Sequence, residues 1–429
     1  MSVEAAAPPP AVAGPSAEEK PKSPGRERPW RIGFVNTHPI QYFAPLYAYL
    51  NATRQFEITA FYLSDYSVRG APDRAFGQVV KWDVDLLSGY DAQFIAGAER
   101  RNEPAGFLSM IAPQVWRTMR DKRLDALVIH GHTPAATLIA AASAAAVGTP
   151  VFARGETHLG LPRGRLKRRV RQTVMRHFYQ RLAGVLAIGS ANAAFYRALG
   201  VPSERIFSVP YTVDNDRFTR QAAVTEAERR QIRASVGVLD DRPIVLYAAK
   251  LQRRKRPHDL LQAAAILSGQ GIGHHLVVAG SGEMEGELRA LAQALRLSNI
   301  HFQGFVNQAA LPQLYASADV FVLPSEAEPW GLAVNEAMCA GLPVVTSSAV
   351  GCAPDLVRPG VNGATFQARD VAGLVEALRP ILIDPDLRAR MSAASRAIMV
   401  HWSFAECAAG LAAAMTSQAS AGRFGSAAR

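Results

Sequence analysis

Past residue 29 the chain keeps a regular beat: a short run of β-branched or aliphatic side chains, a few turn residues, then a longer stretch whose apolar positions recur every three or four. The short runs have the character of buried strands and the longer stretches that of amphipathic helices. Trp30-Arg31-Ile32-Gly33-Phe34-Val35-Asn36 opens the series, breaks at Thr37-His38-Pro39-Ile40-Gln41, and gives way to a helix carrying Tyr42, Leu46 and Leu50. Further strands are predicted over residues 57–63, 126–129, 150–153, 184–188 and 206–210. Residues 214–241, rich in charge and Gln, interrupt the beat and read as a passage between two units. It resumes with a strand at 243–251, a helix at 258–267, a strand at 275–279, a helix at 285–295, and strands at 300–303 and 320–323. Alternating strands and helices predict parallel sheets with crossover helices. A chain of 429 residues exceeds what one core supports, so two α/β domains are expected.

Composition changes the picture only at the start. Residues 1–29 are dominated by Ala, Pro, Glu, Lys and Ser, include Pro8-Pro9-Pro10, and cannot bury enough apolar surface to order themselves. They also lack the apolar stretch of a secretory signal. The Ala-rich run at 133–153 is broken by Gly148-Thr149-Pro150 and fits a helix plus a strand better than a membrane span. Cys339, Cys352 and Cys407 are too few and too scattered for a disulfide framework or a zinc site, so a reducing cytosol is the expected compartment.

The first candidate chemistry lies at Glu328-Pro329-Trp330-Gly331-Leu332-Ala333-Val334-Asn335-Glu336, which runs on into Ala337-Met338 and ends at Gly341-Leu342-Pro343. The apolar run 320–323 precedes it and a helix-length stretch follows Gly331. Glu328 therefore sits on the loop at the carboxyl end of a strand, and Glu336 within the first turns of the next helix. Amides around Gly331 and Leu332 form a helix start that attracts phosphate. Two carboxylates beside an anion site each need a polar partner, and sugar hydroxyls supply one. A second cluster falls at another strand-to-helix crossing, where Ala249-Lys250-Leu251 and Lys255 place two cations along the same kind of sheet edge.

These segments resemble the donor-binding motif of glycosyltransferase family 4, retaining enzymes of the GT-B fold. The resemblance implies two Rossmann-like, doubly wound parallel-sheet domains facing across a cleft. It implies that Glu328 contacts the donor sugar, Glu336 holds the ribose, and Lys250 and Lys255 neutralise the diphosphate. Lys250 stands where the family usually has Arg, which keeps the point charge and gives up the bidentate fork. Gly280, in the turn Gly280-Ser281-Gly282, would let the backbone approach the donor, and Phe305 and Val306 would lie against the base. Glu285 at the place of the third Gly of a dinucleotide fingerprint argues against a nicotinamide cofactor. The expected divisions are a tail at 1–29, an acceptor domain at 30–218, the passage and donor domain at 219–403, and a helix from 404 returning to the first domain before a flexible tail.

For the acceptor side the resemblance points to His130-Gly131-His132-Thr133-Pro134, with His132 first and His130 next. Imidazole can hold a hydroxyl near neutral pH without a full charge. Arg154, Glu156 and His158, in Arg154-Gly155-Glu156-Thr157-His158, and His38 after the first strand complete the candidate cleft. Catalysis would rest on positioning and on charge stabilisation of the leaving diphosphate, with no cofactor and no metal required. Asp83-Val84-Asp85 and Asp214-Asn215-Asp216 look like a metal motif of another transferase fold, but neither follows a nucleotide-binding unit.

Lys and Arg number 47 against 36 Asp and Glu, and the excess is concentrated between Arg163 and Arg181. Leu166, Val170, Val174, Phe178 and Leu182 recur there every fourth residue, a stripe backed by cations. Such a face suits anionic lipid at the inner side of a membrane, which would bring a cytoplasmic enzyme to a lipid-linked acceptor. The expected activity is transfer from a nucleoside diphosphate sugar to a hydroxyl of a glycan or lipid-linked acceptor, in envelope or exopolysaccharide assembly. A nucleotide-sugar epimerase or hydrolase of the same fold, and a non-catalytic protein binding polyanions or membranes, remain as alternatives. No nucleic-acid motif is present.

Overall fold

The computed structural model describes residues 28–73, 76–102, 106–108, 110–112, 114–131, 135–161 and 165–420. His132 and Arg163 lie outside these residues, as do the side chains of residues 165–172. In the first half the strands are β1 (Trp30–Asn36), β2 (Phe56–Tyr62), β3 (Ala71–Asp73), β4 (Gln78–Val80), β5 (Asp91–Phe94), β6 (Ala126–His130), β7 (Val151–Arg154), β8 (Gly184–Ala187) and β9 (Ile206–Ser208). Seven of them form a parallel sheet in the order β5-β2-β1-β6-β7-β8-β9, while β3 and β4 make a separate antiparallel hairpin. The second half contributes β10 (Ile244–Ala248), β11 (His275–Ala279), β12 (Ile300–Gly304), β13 (Val320–Leu323), β14 (Val344–Ser347) and β15 (Gly363–Phe366), a parallel sheet in the order β12-β11-β10-β13-β14-β15.

Both sheets start in the middle, wind out to one edge, then return and wind out to the other. The strand order therefore reverses between β1 and β6, and again between β10 and β13. Crossover helices cover both faces of such a sheet, which is why strands β6, β11, β13 and β14 read as unbroken apolar runs and are buried nearly throughout. At a reversal point the helices diverge to opposite faces and leave a crevice at the carboxyl ends of the strands, so the topology fixes where ligands can enter.

The chain crosses between the halves twice, and the crossings lie side by side. Thr212 Oγ1 donates to the Trp402 carbonyl, and Asn215 Nδ2 donates to the carbonyls of Met399 and Trp402, each at 3.0 Å. Beyond the second crossing, the helix Phe404–Ser420 packs on β8 and β9. Cys407 Sγ meets the Pro210 carbonyl at 3.0 Å and Gln418 Nε2 donates to the Ala183 carbonyl at 3.3 Å. The cores of the two halves merge through Tyr211, Trp330 and Trp402.

Two segments differ from the pattern reading. Residues 214–241 hold two helices, Asn215–Ala222 and Glu226–Ser235, the second opened by a capping box between Thr225 and Glu228. Their charge reads as solvent exposure in the sequence, but Arg229 and Arg233 both pair with Asp319 at 2.9 and 3.1 Å and donate to carbonyls of residues 316–318. Among the described side chains of the basic helix Arg165–Arg181 and the residue after it, Phe178 and Leu182 of the apolar repeat pack on the core, while one member of the repeat does not. Val174 is 56% exposed, whereas Tyr179 is buried, edge-on to Phe195 and Tyr196. An aromatic ring one position from the stripe joins Phe178 and Leu182 in the core.

Candidate functional site

The carboxyl ends of both central strands open on one cavity of about 440 Å³. Its lining includes Lys250, Lys255, Gly280, Phe305, Val306, Glu328, Gly331, Leu332 and Glu336 from the second half, and His38 and Glu156 from the first. His130, Arg154 and His158 stand behind its wall rather than in it.

Lys255 and Glu328 form a buried ion pair, each less than a tenth exposed. The same Glu328 oxygen lies 3.7 Å from Arg254 Nη1 and 3.4 Å from Ser325 Oγ. Burial pulls the Lys255 ammonium below its ordinary range, while the charge of Glu328 opposes the shift. Arg254 is anchored by a 3.0 Å bond to the Ala327 carbonyl, so the pair is held from both sides. Lys250 sits across the cavity at the end of β10, 30% exposed, with its ammonium 3.4 Å from Asp73.

Gly331 begins the helix Leu332–Cys339 with φ at 102°, a left-handed conformation that glycine adopts without strain. A Cβ there would also come within 3.0 Å of Leu323 and 3.1 Å of Val350. Having no side chain, Gly331 leaves the first amides of the helix, at Leu332 and Ala333, to face the cavity as an anion-attracting terminus. Gly280 meets a harder constraint: its φ is 142°, and a Cβ would stand 2.0 Å from the Ala249 carbonyl oxygen. Only glycine lets the two loops above β10 and β11 touch.

Glu336 is 2% exposed. Its Oε2 accepts from Tyr315 OH at 2.8 Å, while its Oε1 is buried with no hydrogen-bond partner. Burial raises its pKa, and Tyr315, Tyr42, Arg217 and Gln308 around it lower it again. Arg217 grips Gln308 by two 2.9 Å bonds, to its carbonyl and its Oε1, which fixes the amide beside Glu336. One carboxylate oxygen is therefore buried without a direct hydrogen bond, with Tyr42 and Gln308 near it beside the cavity, an arrangement that a ligand hydroxyl would improve.

On the opposite wall, His38 is held by Thr37 Oγ1 at 2.8 Å and Tyr66 OH at 3.1 Å. Burial pushes its pKa down to about 4, Asp73 opposing and Lys250 adding, so the ring is neutral near pH 7. Glu156 accepts a 2.6 Å bond from Tyr211 OH; burial raises its pKa, and the charge of Glu328 across the cleft raises it further. His130 stacks on Phe43 at 4.2 Å and shares a 2.9 Å bond with Tyr47 OH, and burial keeps it neutral. Arg154 is sandwiched near Phe43 and Tyr211 and donates to the Pro210 carbonyl at 3.1 Å. His158 Nδ1 accepts from the Gly160 amide at 3.2 Å, so its Nε2 carries the proton and donates to the Glu328 carbonyl at 3.1 Å, tying the two halves together.

Sequence reasoning missed the polar surroundings of the carboxylates. Tyr42 comes from the turn before the helix Ala44–Ala52, and Gln308 and Tyr315 from the turn and helix at 308–317, and no spacing pattern links them to Glu336. It also missed Asp73, Phe76 and Trp82, which line the cavity from the β3–β4 hairpin and the loop following it. The two Asp-x-Asp segments accept from backbone amides, nearby in sequence or from the second half of the chain. Asp83 accepts from the Ala309 amide at 3.0 Å, Asp85 from the amides of Leu87 and Ser88, and Asp214 caps the helix at Arg217.

Residues 228–398 match the glycosyl transferases group 1 family, and residues 41–212 match the glycosyl transferase 4-like domain. The chain belongs to the group 1 glycosyl transferases and has the GT-B fold, two parallel-sheet α/β domains across a cleft. It is 31% identical to alpha-D-kanosaminyltransferase of Streptomyces kanamyceticus over 51% of this chain and 55% of that protein. It is 34% identical to D-inositol 3-phosphate glycosyltransferase of Geodermatophilus obscurus over 51% of this chain and 49% of that protein. The chain thus spans about half the length of these relatives. Among solved structures, it resembles Anabaena HepE in complex with UDP and glucose, with a TM-score of 0.69 at 20% identity over 90% of this chain and all of that one. Sucrose-phosphate synthase of Thermosynechococcus elongatus gives a TM-score of 0.70 at 17% identity, over 91% of this chain and 100% of that one.

Proposed function

We propose that the protein is a retaining glycosyltransferase that moves a sugar from a nucleoside diphosphate sugar to a hydroxyl of a glycan or lipid-linked acceptor. One observation carries the reading: two lysines, two buried glutamates and an uncapped helix start converge on a single crevice at the reversal point of the second sheet. In this reading the diphosphate lies between Lys250, Lys255 and the amides of Leu332 and Ala333, and Gly280 lets the backbone close over it. Glu328 accepts from a sugar hydroxyl, Glu336 from the ribose, and Phe305 and Val306 lie along the base. The acceptor enters from the first domain, past His38 and Glu156, with His130 on that side and Arg154 and His158 bracing it. Departure of the diphosphate is stabilised by the fixed cations and dipoles, which need no reorganisation as charge develops.

HepE binds UDP and glucose, so uridine diphosphate sugars head the panel for a release assay. The assay measures free nucleoside diphosphate from each candidate donor, with glycan and lipid-extract acceptors and without them. Acceptor-dependent release with the α-configuration kept in the product supports the proposal. Free epimerised sugar nucleotide without acceptor would instead establish an epimerase. The helix Arg165–Arg181 leaves Val174 and Arg181 exposed, seven residues apart on one face suited to anionic lipid. Equal sedimentation with neutral and anionic liposomes would remove the membrane part of the reading.

A further inference from the structure

The β3–β4 hairpin is inserted between β2 and β5 of the first sheet, yet it and the residues after it are fastened to the second domain. Lys250 Nζ lies 3.4 Å from both carboxylate oxygens of Asp73 and 4.1 Å above the centre of the Phe76 ring. The Phe76 carbonyl accepts from Ser281 Oγ at 3.0 Å, and its ring stands edge-on to Phe305 at 4.8 Å. Further along, the Lys81 carbonyl accepts from Asn307 Nδ2 at 2.8 Å. Strands of three residues have little stability of their own, so these contacts across the cleft hold the hairpin in place.

We propose that Asp73 is a further donor-site residue: a resident counter-ion that pairs Lys250 while the cavity lacks a diphosphate, and that competes with the diphosphate for the same ammonium. The inference rests on the donor reading given above. Lys250 is the cation at the end of β10 that faces open cavity, and its nearest carboxylate comes from the other domain, unlike Lys255, whose partner Glu328 belongs to its own domain. A diphosphate arriving at Lys250 meets the negative charge of Asp73 at close range, so either the carboxylate swings away or binding is weakened. The exchange runs in reverse after transfer, when Asp73 helps to expel the nucleoside diphosphate product. Asp73 thus lowers affinity for donor and product alike, while the ring of Phe76 beneath Lys250 keeps the ammonium aimed into the cavity.

Asp73→Asn separates charge from structure. Asp73 Oδ1 also accepts from the Phe76 amide at 3.0 Å, which shapes the turn, and the Asn carbonyl oxygen preserves that bond. Binding of uridine, guanosine, adenosine and thymidine diphosphates to the full chain is measured by calorimetry for wild type, Asp73→Asn, Lys250→Ala and the double variant. The expected result is binding tightened about three- to tenfold in Asp73→Asn, an effect that shrinks at high salt and vanishes when Lys250 is Ala. Asp73→Ser, which keeps an acceptor for the turn, moves affinity in the same direction. Unchanged or weaker binding in both Asp73 variants, with Lys250→Ala still weakening it, overturns the counter-ion and leaves the donor site standing. Failure of wild type to bind any of the four diphosphates overturns the donor reading and this inference with it.

Discussion

Glu336→Gln separates a ligand-binding carboxylate from a structural one. In the native chain Oε2 is satisfied by Tyr315 OH at 2.8 Å, and Oε1 is buried without a hydrogen-bond partner. A buried acceptor lacking a donor costs about 1–3 kcal/mol, and a hydrogen bond to a charged group contributes about 1.5–3 kcal/mol. If a ribose hydroxyl fills that place, losing the charge raises the dissociation constant for a nucleoside diphosphate by roughly 10- to 100-fold. The amide keeps an oxygen for Tyr315, so folding stability should stay within about 1 kcal/mol of wild type. Calorimetry with a ribonucleoside diphosphate and its 2′,3′-dideoxy counterpart reads the coupling directly. The variant should lose affinity for the first and lose almost nothing further for the second. Equal losses for both nucleotides, or a large fall in urea midpoint with unchanged affinity, would refute the assignment of Glu336 to the ribose.

Lys255→Met leaves Glu328 buried beside only Arg254 and Ser325, so urea unfolding should show a loss of about 2–4 kcal/mol together with loss of nucleotide binding. Gly280→Ala forces a Cβ against the Ala249 carbonyl at a φ of 142°, and should cost about 3 kcal/mol or more and abolish donor binding, both readable by thermal melting with and without ligand. His38, held at about 4 by burial in the native state, binds its proton near 6.5 when unfolded. The unfolded chain therefore holds more protons between these values, and stability falls as the pH drops through that window. Because one edge of the ring opens on the cavity, the loss should be about 1–3 kcal/mol, measured as urea midpoints from pH 7 to pH 4, and His38→Gln should flatten it.

The sheets were legible because parallel strands buried on both faces leave unbroken apolar runs such as Val320-Phe321-Val322-Leu323, and glycines such as Gly331 and Gly341 mark where helices start and stop. The same regularity carried Glu328, Glu336, Lys250 and Lys255 to the carboxyl edge of one sheet, since strand ends in this topology share that edge. Short elements without an aliphatic run were not legible. The hairpin strands Ala71–Asp73 and Gln78–Val80, and β5 (Asp91-Ala92-Gln93-Phe94) and β15 (Gly363-Ala364-Thr365-Phe366), lack the aliphatic run that marks β13 at the same length, and do not stand out from loops. The helices Asn215–Ala222 and Glu226–Ser235 were obscured because their inward residues include Arg229 and Arg233, whose burial depends on Asp319 some ninety residues away. His130 and Arg154 look alike as polar residues at strand ends. Only the packing of Phe43, Tyr47 and Tyr211 shows that aromatic rings surround both.

A crystal structure with a nucleoside diphosphate sugar tests the central claim most directly. The diphosphate should lie within about 3 Å of the ammonium groups of Lys250 and Lys255 and of the Leu332 amide, with the ribose on Glu336 and a sugar hydroxyl on Glu328. A nucleotide bound outside this crevice, or bound in it with those side chains turned away, would contradict the account.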